Sequence, residues 1–399
     1  MKLLFVTPYV PSLIRVRTYQ LLRHLARRGC KITLVALEDA PVSTASRAEL
    51  AELCESVHLV PLEKPAAALR CIAALPSPKP LWVAYCDTPA LRATVRRLVQ
   101  AEQFDAAHVE HLRAASVRSA LGDLPCVLDA VDCITALQRQ MFDQGERLKD
   151  RALAGEEWLK LRRWEPRAYA GYDAIGVTSQ YDATALQALG TRPPLHVIPN
   201  GVDLDYFQPN PKLAPEPDTI IFSGKMSYRA NDDAVLWFAA QLWPTLKRAR
   251  PGLRWTIAGN EPSAAVRALA ADPAITVTGY VEDLRPFIAR ASLAICPLRI
   301  GVGIQNKALE AMAMGRPVVA SPIAGRALPG AITEGGLNVA EGAQDFIAAC
   351  LALLESPAQA ELAGQAARRY VERHHRWDCS AGAFLELYAR EKQQTTPRV

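Results

Sequence analysis

No run of about 18 consecutive apolar residues occurs in the sequence, so no membrane-spanning helix is expected. The apolar start, Met1 to Val6, is short and stops at Thr7-Pro8, which reads as a buried first strand rather than a secretory leader. The nine cysteines form no C-x-x-C pair. That argues against a zinc site or a disulfide framework and for reduced, buried thiols in a cytoplasmic protein. Charge of one sign is also scarce. The net excess of +5 suits anionic small molecules or an anionic membrane surface and is too weak to imply nucleic acid. No D-x-D metal motif stands at a convincing strand end, so no metal and no cofactor are expected. Short internal repeats are absent too.

What is present is a globular composition, 50% hydrophobic and 22% charged. The 399 residues are enough for two domains. Short β-branched runs alternate with longer amphipathic stretches. Leu3–Thr7, Lys31–Leu37, Ala106–Glu110, Cys126–Asp129 and Ala174–Thr178 read as strands, and Arg17–Arg28 as a helix. The series restarts at Thr219–Ser223, with a helix from about Asp232 to Ala249 and strands at Arg254–Ala258, Ile275–Thr278, Leu293–Cys296 and Pro317–Ala320. Alternation of this kind predicts an α/β fold with parallel sheets covered on both faces. Between the halves, Pro209 to Pro217 holds four prolines and reads as a stiff linker. The expected division is therefore residues 1–209 and 210–375, followed by a helix and tail at 376–399. In open α/β sheets ligands bind beyond the carboxyl ends of the strands, so motifs are sought there.

The richest segment runs from Pro297 to Ser321, in the order strand end, glycine loop, helix, tight turn and next strand. Gly301 and Gly303 let a backbone approach a ligand closely. The helix beginning near Gln305 and Asn306 offers free N–H groups and a positive dipole end, which suit a phosphate. Lys307 is unfavourable in a first helical turn unless a bound anion offsets it, and Glu310 is placed to accept hydrogen bonds from a ribose diol. Arg299 flanks the loop as a further cation. The plain alternative, an ordinary α/β loop with a stray lysine and glutamate, is disfavoured because the elements fall in order. A second motif, Phe222 to Asn231, runs a strand into Gly224 with Lys225 at its mouth. A third, Ile198-Pro199-Asn200-Gly201-Val202-Asp203, is a turn former at a strand end. In the fourth, Val277 to Leu284, a strand ends at Gly279 and a helix follows Asp283, a plausible N-cap.

These motifs resemble those of the group 1 family of retaining glycosyltransferases. The resemblance implies the GT-B fold, two Rossmann-like domains facing across a cleft. Glu310–Val319 is similar to the family's donor-binding signature, but the first of its two glutamates would fall on Val302. The resemblance implies that Lys225 stands where the family has an arginine and Asn231 where it has a lysine, both serving the donor diphosphate. It further implies that backbone groups at Gly279 and Val281 hold the nucleotide base. The Arg299…Lys307 form of the loop resembles a subgroup tied to bacterial exopolysaccharide loci of the exosortase type. The implied reaction transfers a sugar, with retention and without metal, from a UDP- or GDP-sugar to a glycan or lipid-linked acceptor. A sugar-nucleotide epimerase of the same fold and a catalytically silent nucleotide-sugar binder stay open.

The first half gives softer signals. Glu110-His111 and Asp129-Ala130-Val131-Asp132 end two strands. The family's active-site histidine would fall on Val131, so His111 or Asp132 is expected to substitute, although a lone histidine at a strand end is more often structural. Arg15 and Arg17 stand where the family has a glycine loop and are expected near the cleft mouth. Glu156–Arg167 mixes Trp158 and Trp164 with Lys160, Arg162 and Arg163. Core packing with solvated arginines is favoured there over contact with the inner face of a membrane.

Overall fold

A computed structural model describes residues 1–13, 15–145 and 148–395. It divides into two compact units, Met1–Pro199 with Trp377–Val399, and Asn200–Arg376. The division falls earlier than the proline-rich segment expected to mark it. Past Asn200 the chain already belongs to the second unit: Val202 N donates to His375 O at 2.8 Å, and Glu216 N donates to Arg290 O at 2.8 Å.

The first unit holds β1 (Lys2–Thr7), β2 (Lys31–Glu38), β3 (Ser56–Pro61), β4 (Ala106–Glu110), β5 (Cys126–Val131), β6 (Ala174–Val177) and β7 (Leu195–Val197). Their order is β3-β2-β1-β4-β5-β6-β7, and every pairing is parallel. The second unit holds β8 (Thr219–Ser223), β9 (Arg254–Ala258), β10 (Ile275–Gly279), β11 (Leu293–Cys296), β12 (Val318–Ala320) and β13 (Asn338–Val339). Their order, β10-β9-β8-β11-β12-β13, repeats the same plan, again all parallel. Both sheets are of Rossmann type. In each the strand order reverses beside the first strand, between β1 and β4 and between β8 and β11, and such a switch point is where this architecture opens a ligand crevice.

The central strands are covered on both faces, which is why they read as continuous apolar runs. Leu3, Leu4, Phe5 and Val6 are all fully buried, and their side chains divide between two apolar clusters on opposite faces of the sheet. The helix Trp377–Thr395 completes one of these clusters through Ala381, Phe384, Leu387 and Tyr388. The helix expected from Asp232 to Ala249 is two, Arg229–Gln241 and Trp243–Ala249. Pro244 lies in the first turn of the second, where its missing N–H and fixed φ are tolerated as they would not be mid-helix.

Candidate functional site

In the second unit the loops after β8 and β11 meet at the switch point. Gly259 follows β9 with φ 151°, and a Cβ built there would lie 1.7 Å from Gly224 O. Only glycine lets the loops after β9 and β8 approach this closely. Gly224, with φ 148°, is in turn packed against Asn231 and Lys307. Asn231 is buried and joins the loops. Its Nδ2 donates to Lys225 O at 2.8 Å, and its Oδ1 accepts from Lys307 Nζ at 2.9 Å. Lys307 Nζ also lies 5.4 Å from the centre of the Phe222 ring. Lys307 belongs to the helix Asn306–Ala313, which has Gln305 as N-cap and no side-chain cap hydrogen bond. Its first amides thus lack a side-chain acceptor and carry the positive end of the helix dipole. Gln305 Nε2 donates to Val302 O at 3.2 Å, and Asn306 Oδ1 accepts from Asn200 Nδ2 at 3.0 Å. Gly303 takes a left-handed φ of 62°. One turn into the helix, Glu310 is half-buried, and no protein donor reaches its carboxylate among the described residues. Burial pushes its pKa up to about 7, against the opposing pull of Lys307. Gly279 ends β10 in the left-handed region, φ 65°, with Tyr280 exposed and Val281 half-buried beyond it.

The other expected cations are arranged differently. Lys225 is exposed and forms an ion pair with Glu261 at 3.2 Å. Arg299 is engaged by Asp233, with Nε to Oδ2 at 2.9 Å and Nη2 to Oδ1 at 2.5 Å. Such a bidentate pair fixes the guanidinium to the helix Arg229–Gln241. Ile300, Val302 and Ile304 are buried, so the position of the family's first glutamate is an inward apolar one. Gly301 O accepts from Arg326, which pins the loop from outside. Asn231 is the residue that sequence reasoning undervalued, as a cation lost; its signal was its spacing from Lys225.

In the first unit, His111 and Asp132 stand at the carboxyl ends of the adjacent strands β4 and β5. Both His111 and Val131 adopt φ 67°. A β-branched residue there is strained, and such strain persists only where surrounding structure enforces it. His111 Nδ1 accepts from Arg113 N at 3.2 Å, so the neutral ring carries its proton on Nε2. Burial, with Arg113 and Arg15 nearby, pushes the His111 pKa well down. Asp132 Oδ1 accepts from Thr178 Oγ1 at 3.1 Å, and burial beside Asp182 pushes its pKa up. Arg17 was expected near a cleft mouth. It is instead buried, with Nε 2.6 Å from Asp129 Oδ2 and Nη2 3.0 Å from Asp129 Oδ1. An unpaired guanidinium would be costly inside the unit, and Asp129 at the centre of the sheet supplies the pair. His108 of β4 stacks on Phe5 at 4.0 Å, and its Nδ1 lies 2.6 Å from Tyr388 Oη on the last helix.

The second unit also holds a cavity of about 900 Å³, lined by Pro209, Pro217, Ser292, Arg316, Leu353 and Arg368 among others. Asp218, Ser292 and Pro317 in its wall precede β8, β11 and β12, so it opens at the amino ends of the strands and not at the loops described above.

Two family models match the sequence, one described as glycosyl transferases group 1 over residues 217–356 and one as glycosyltransferase family 4 over residues 14–206. A GDP-mannose-dependent alpha-(1-6)-phosphatidylinositol monomannoside mannosyltransferase of Mycobacterium tuberculosis is 28% identical over 242 residues, 54% of this chain and 62% of that protein. The match therefore spans less than two thirds of that relative. Among solved structures, sucrose-phosphate synthase from Thermosynechococcus elongatus superimposes with a TM-score of 0.71 at 16% identity, covering 98% of this chain and 99% of that one. Anabaena HepE, solved with UDP and glucose, gives 0.69 at 14%, covering 98% and 100%. At such identities these two likenesses establish the fold.

Proposed function

Because this chain belongs to the group 1 glycosyltransferases, we propose that it moves a sugar from a nucleoside diphosphate sugar to an acceptor hydroxyl, with retention of anomeric configuration and without a metal. The observation that carries this reading is the convergence at the second unit's switch point. There a glycine contact, a lysine in an uncapped first helical turn and an unpartnered carboxylate follow one another within the loops after β8, β9 and β11.

The chemical requirement is a diphosphate leaving group whose charge grows as the glycosidic bond breaks. Preorganised donors in a water-poor site meet that need. Lys307 and the first amides of the helix Asn306–Ala313 face such a group in the proposed pose. Asn231 fixes the lysine, so little reorganisation is required when charge develops. Lys225 leaves Glu261 to reach the diphosphate, and the Glu310 carboxylate accepts from the ribose hydroxyls. Arg299 acts through Asp233 to hold the loop and does not touch the donor. Replacing Lys307 by Ala lowers turnover by about 100- to 1000-fold. Lys225→Ala lowers it strongly too, and wild-type rates in both variants would sink the assignment.

The purified protein, incubated with a panel of UDP- and GDP-sugars with and without membrane lipid extract, is to be followed by mass spectrometry. Acceptor-dependent nucleotide release with a glycosylated product is expected. Conversion of the donor without acceptor would instead identify an epimerase, and binding without turnover a silent binder. We further propose a role in cell-surface or exopolysaccharide synthesis with peripheral membrane contact. Leu69, Ile72, Leu75 and Leu159 support it, being exposed apolar side chains of the first unit. Lys160 joins their two segments by donating to Ala74 O and Leu75 O. Pelleting with anionic liposomes tests it, and binding unchanged when Arg162 and Arg163 are replaced by Glu would remove the electrostatic part.

A further inference from the structure

The switch point of the first unit, between β1 and β4, gathers a group of side chains that the donor chemistry does not use. Arg15 follows β1 and stands with its guanidinium carbon 4.4 Å from the centre of the Tyr9 ring. Arg113 follows β4, with its guanidinium carbon 4.4 Å from the centre of the Trp82 ring. Trp82 in turn stacks on His111, 6.5 Å between centroids and 18° between planes. Among the described residues, neither Arg15 nor Arg113 has a carboxylate partner within ion-pair distance. The contrast with Arg17, on the same segment as Arg15, is direct: that guanidinium is paired bidentately with Asp129.

The nearby acids do not fill the gap. Glu110 accepts from Tyr9 Oη and Thr18 Oγ1, and Asp39 lies exposed beyond β2. Burial lowers the pKa of Arg113, and Arg15 adds to the effect as a repulsive charge. Arg113 is half-buried and Arg15 exposed, and each is held on an aromatic face; the like charges lie within electrostatic reach of one another, with no carboxylate between them among the described residues to offset the repulsion. A bound oxyanion relieves them, and the fork geometry of Arg matches phosphate or carboxylate oxygens. His111 adds a third donor. With Nδ1 accepting from the backbone and the ring neutral, Nε2–H is the group left to donate. The left-handed φ of His111 orients that ring at a backbone cost.

We propose that this switch point binds the acceptor through an anionic group, a phosphate or a carboxylate, with Arg15 and Arg113 as its charge partners, His111 Nε2–H as a third donor, and Trp82 as the ring that positions both Arg113 and His111. The acceptor role rests on the transferase reading; the anion site itself does not. Glucose 1-phosphate, methyl glucuronide and neutral methyl glucoside are therefore titrated into the full-length protein. Binding is read from the ring-nitrogen resonances of His111, assigned with a His111→Asn variant. At least one anionic sugar is expected to move the His111 signals at concentrations where the neutral sugar does not. A response to the phosphate alone or to the carboxylate alone identifies the source of the anion. Arg15→Gln combined with Arg113→Gln weakens that response by about tenfold or more, and Arg113→Lys by less, since it keeps the charge without the fork. Equal responses to all three sugars, no response to any, or an undiminished response in the folded double variant would overturn the proposal. Nucleotide-sugar affinity, measured separately by calorimetry, stays unchanged in the arginine variants. Its absence from the wild type would instead undo the transferase reading and leave the anion result standing.

Discussion

Glu310 is an acid that the fold prefers neutral. Its pKa rises from 4.5 to about 7, so the folded state holds a proton that the unfolded chain has released between those values. Its contribution to stability is therefore fullest below pH 4.5 and is lost as pH climbs through about 7. Glu310→Gln removes that decline, and the variant gains on the wild type in urea midpoint at pH 8 relative to pH 5. Binding runs the other way, because only the carboxylate accepts two ribose hydrogen bonds. Nucleotide-sugar affinity rises from pH 6 to pH 8 in the wild type and is flat in Glu310→Gln by calorimetry; a flat wild-type profile counts against the ribose contact. Gly259 sets a second residue-scale test. A methyl group there meets Gly224 O at 1.7 Å. Gly259→Ala is expected to cost about 1–3 kcal/mol in urea denaturation and to weaken donor binding together with it. The placement of Lys307 and Glu310 on one helix after the β11 loop was legible in the sequence, because helix and loop positions follow directly from spacing. The Asp233 and Glu261 partners of Arg299 and Lys225 were not, since they come from other elements that spacing does not relate. Arg17 and Arg15 could not be told apart for the same reason: their difference is made by Asp129, far along the chain.

At the scale of elements, the central strands announced themselves and most marginal ones did not, although β10, at the edge of the second sheet, was read at Ile275–Thr278. β1, β8 and β11 are largely buried apolar runs, and β4 and β9 are mostly buried but carry His108, Glu110 and Arg254. β3, β7 and β13 stand at or beside sheet margins, are short or mixed in polarity, and carry half-buried residues such as His58 and Leu195. Pattern reasoning has little to hold there, because margin strands are fixed by their neighbours. The helix Trp377–Thr395 was visible as a helix, but its partners were not. It delivers Phe384 against His108 and Arg17, with ring centroids 5.0 Å apart for the first and the guanidinium 5.6 Å from the ring centre for the second. Phe384→Ala is expected to cost about 3–5 kcal/mol, since the hole opens beside polar groups that depend on the ring for exclusion of water. Tyr388→Phe removes the phenol paired with His108 Nδ1 and costs about 1–3 kcal/mol. Urea denaturation of each variant, followed by far-UV circular dichroism, reads both; losses under half a kcal/mol would mean that the helix is only loosely seated.

Over the whole molecule, two sheets of the same strand order carry different side chains at equivalent switch points. The second has glycines, a lysine and a carboxylate; the first has arginines, aromatic rings and a histidine. Hydrogen exchange distinguishes them. A nucleotide sugar is expected to protect amides in 223–231, 259–261, 279–282 and 297–310 and to leave those after β1 and β4 as they were. Protection confined to the first unit would reverse the assignment of the donor. Turnover is expected to persist in excess EDTA, and loss on chelation that divalent ions restore would establish a metal requirement. The paired crossings of the chain carry a last consequence. It enters the second unit at Asn200 and leaves at Arg376, where Val202 and Arg376 form a parallel bridge. In sequence, the second unit thus stands between the two segments of the first, whose core takes in residues after Trp377. On the ribosome, the part begun first must wait, one apolar face uncovered, while the part begun second is made and can mature. The order in which the units finish is the reverse of the order in which they start.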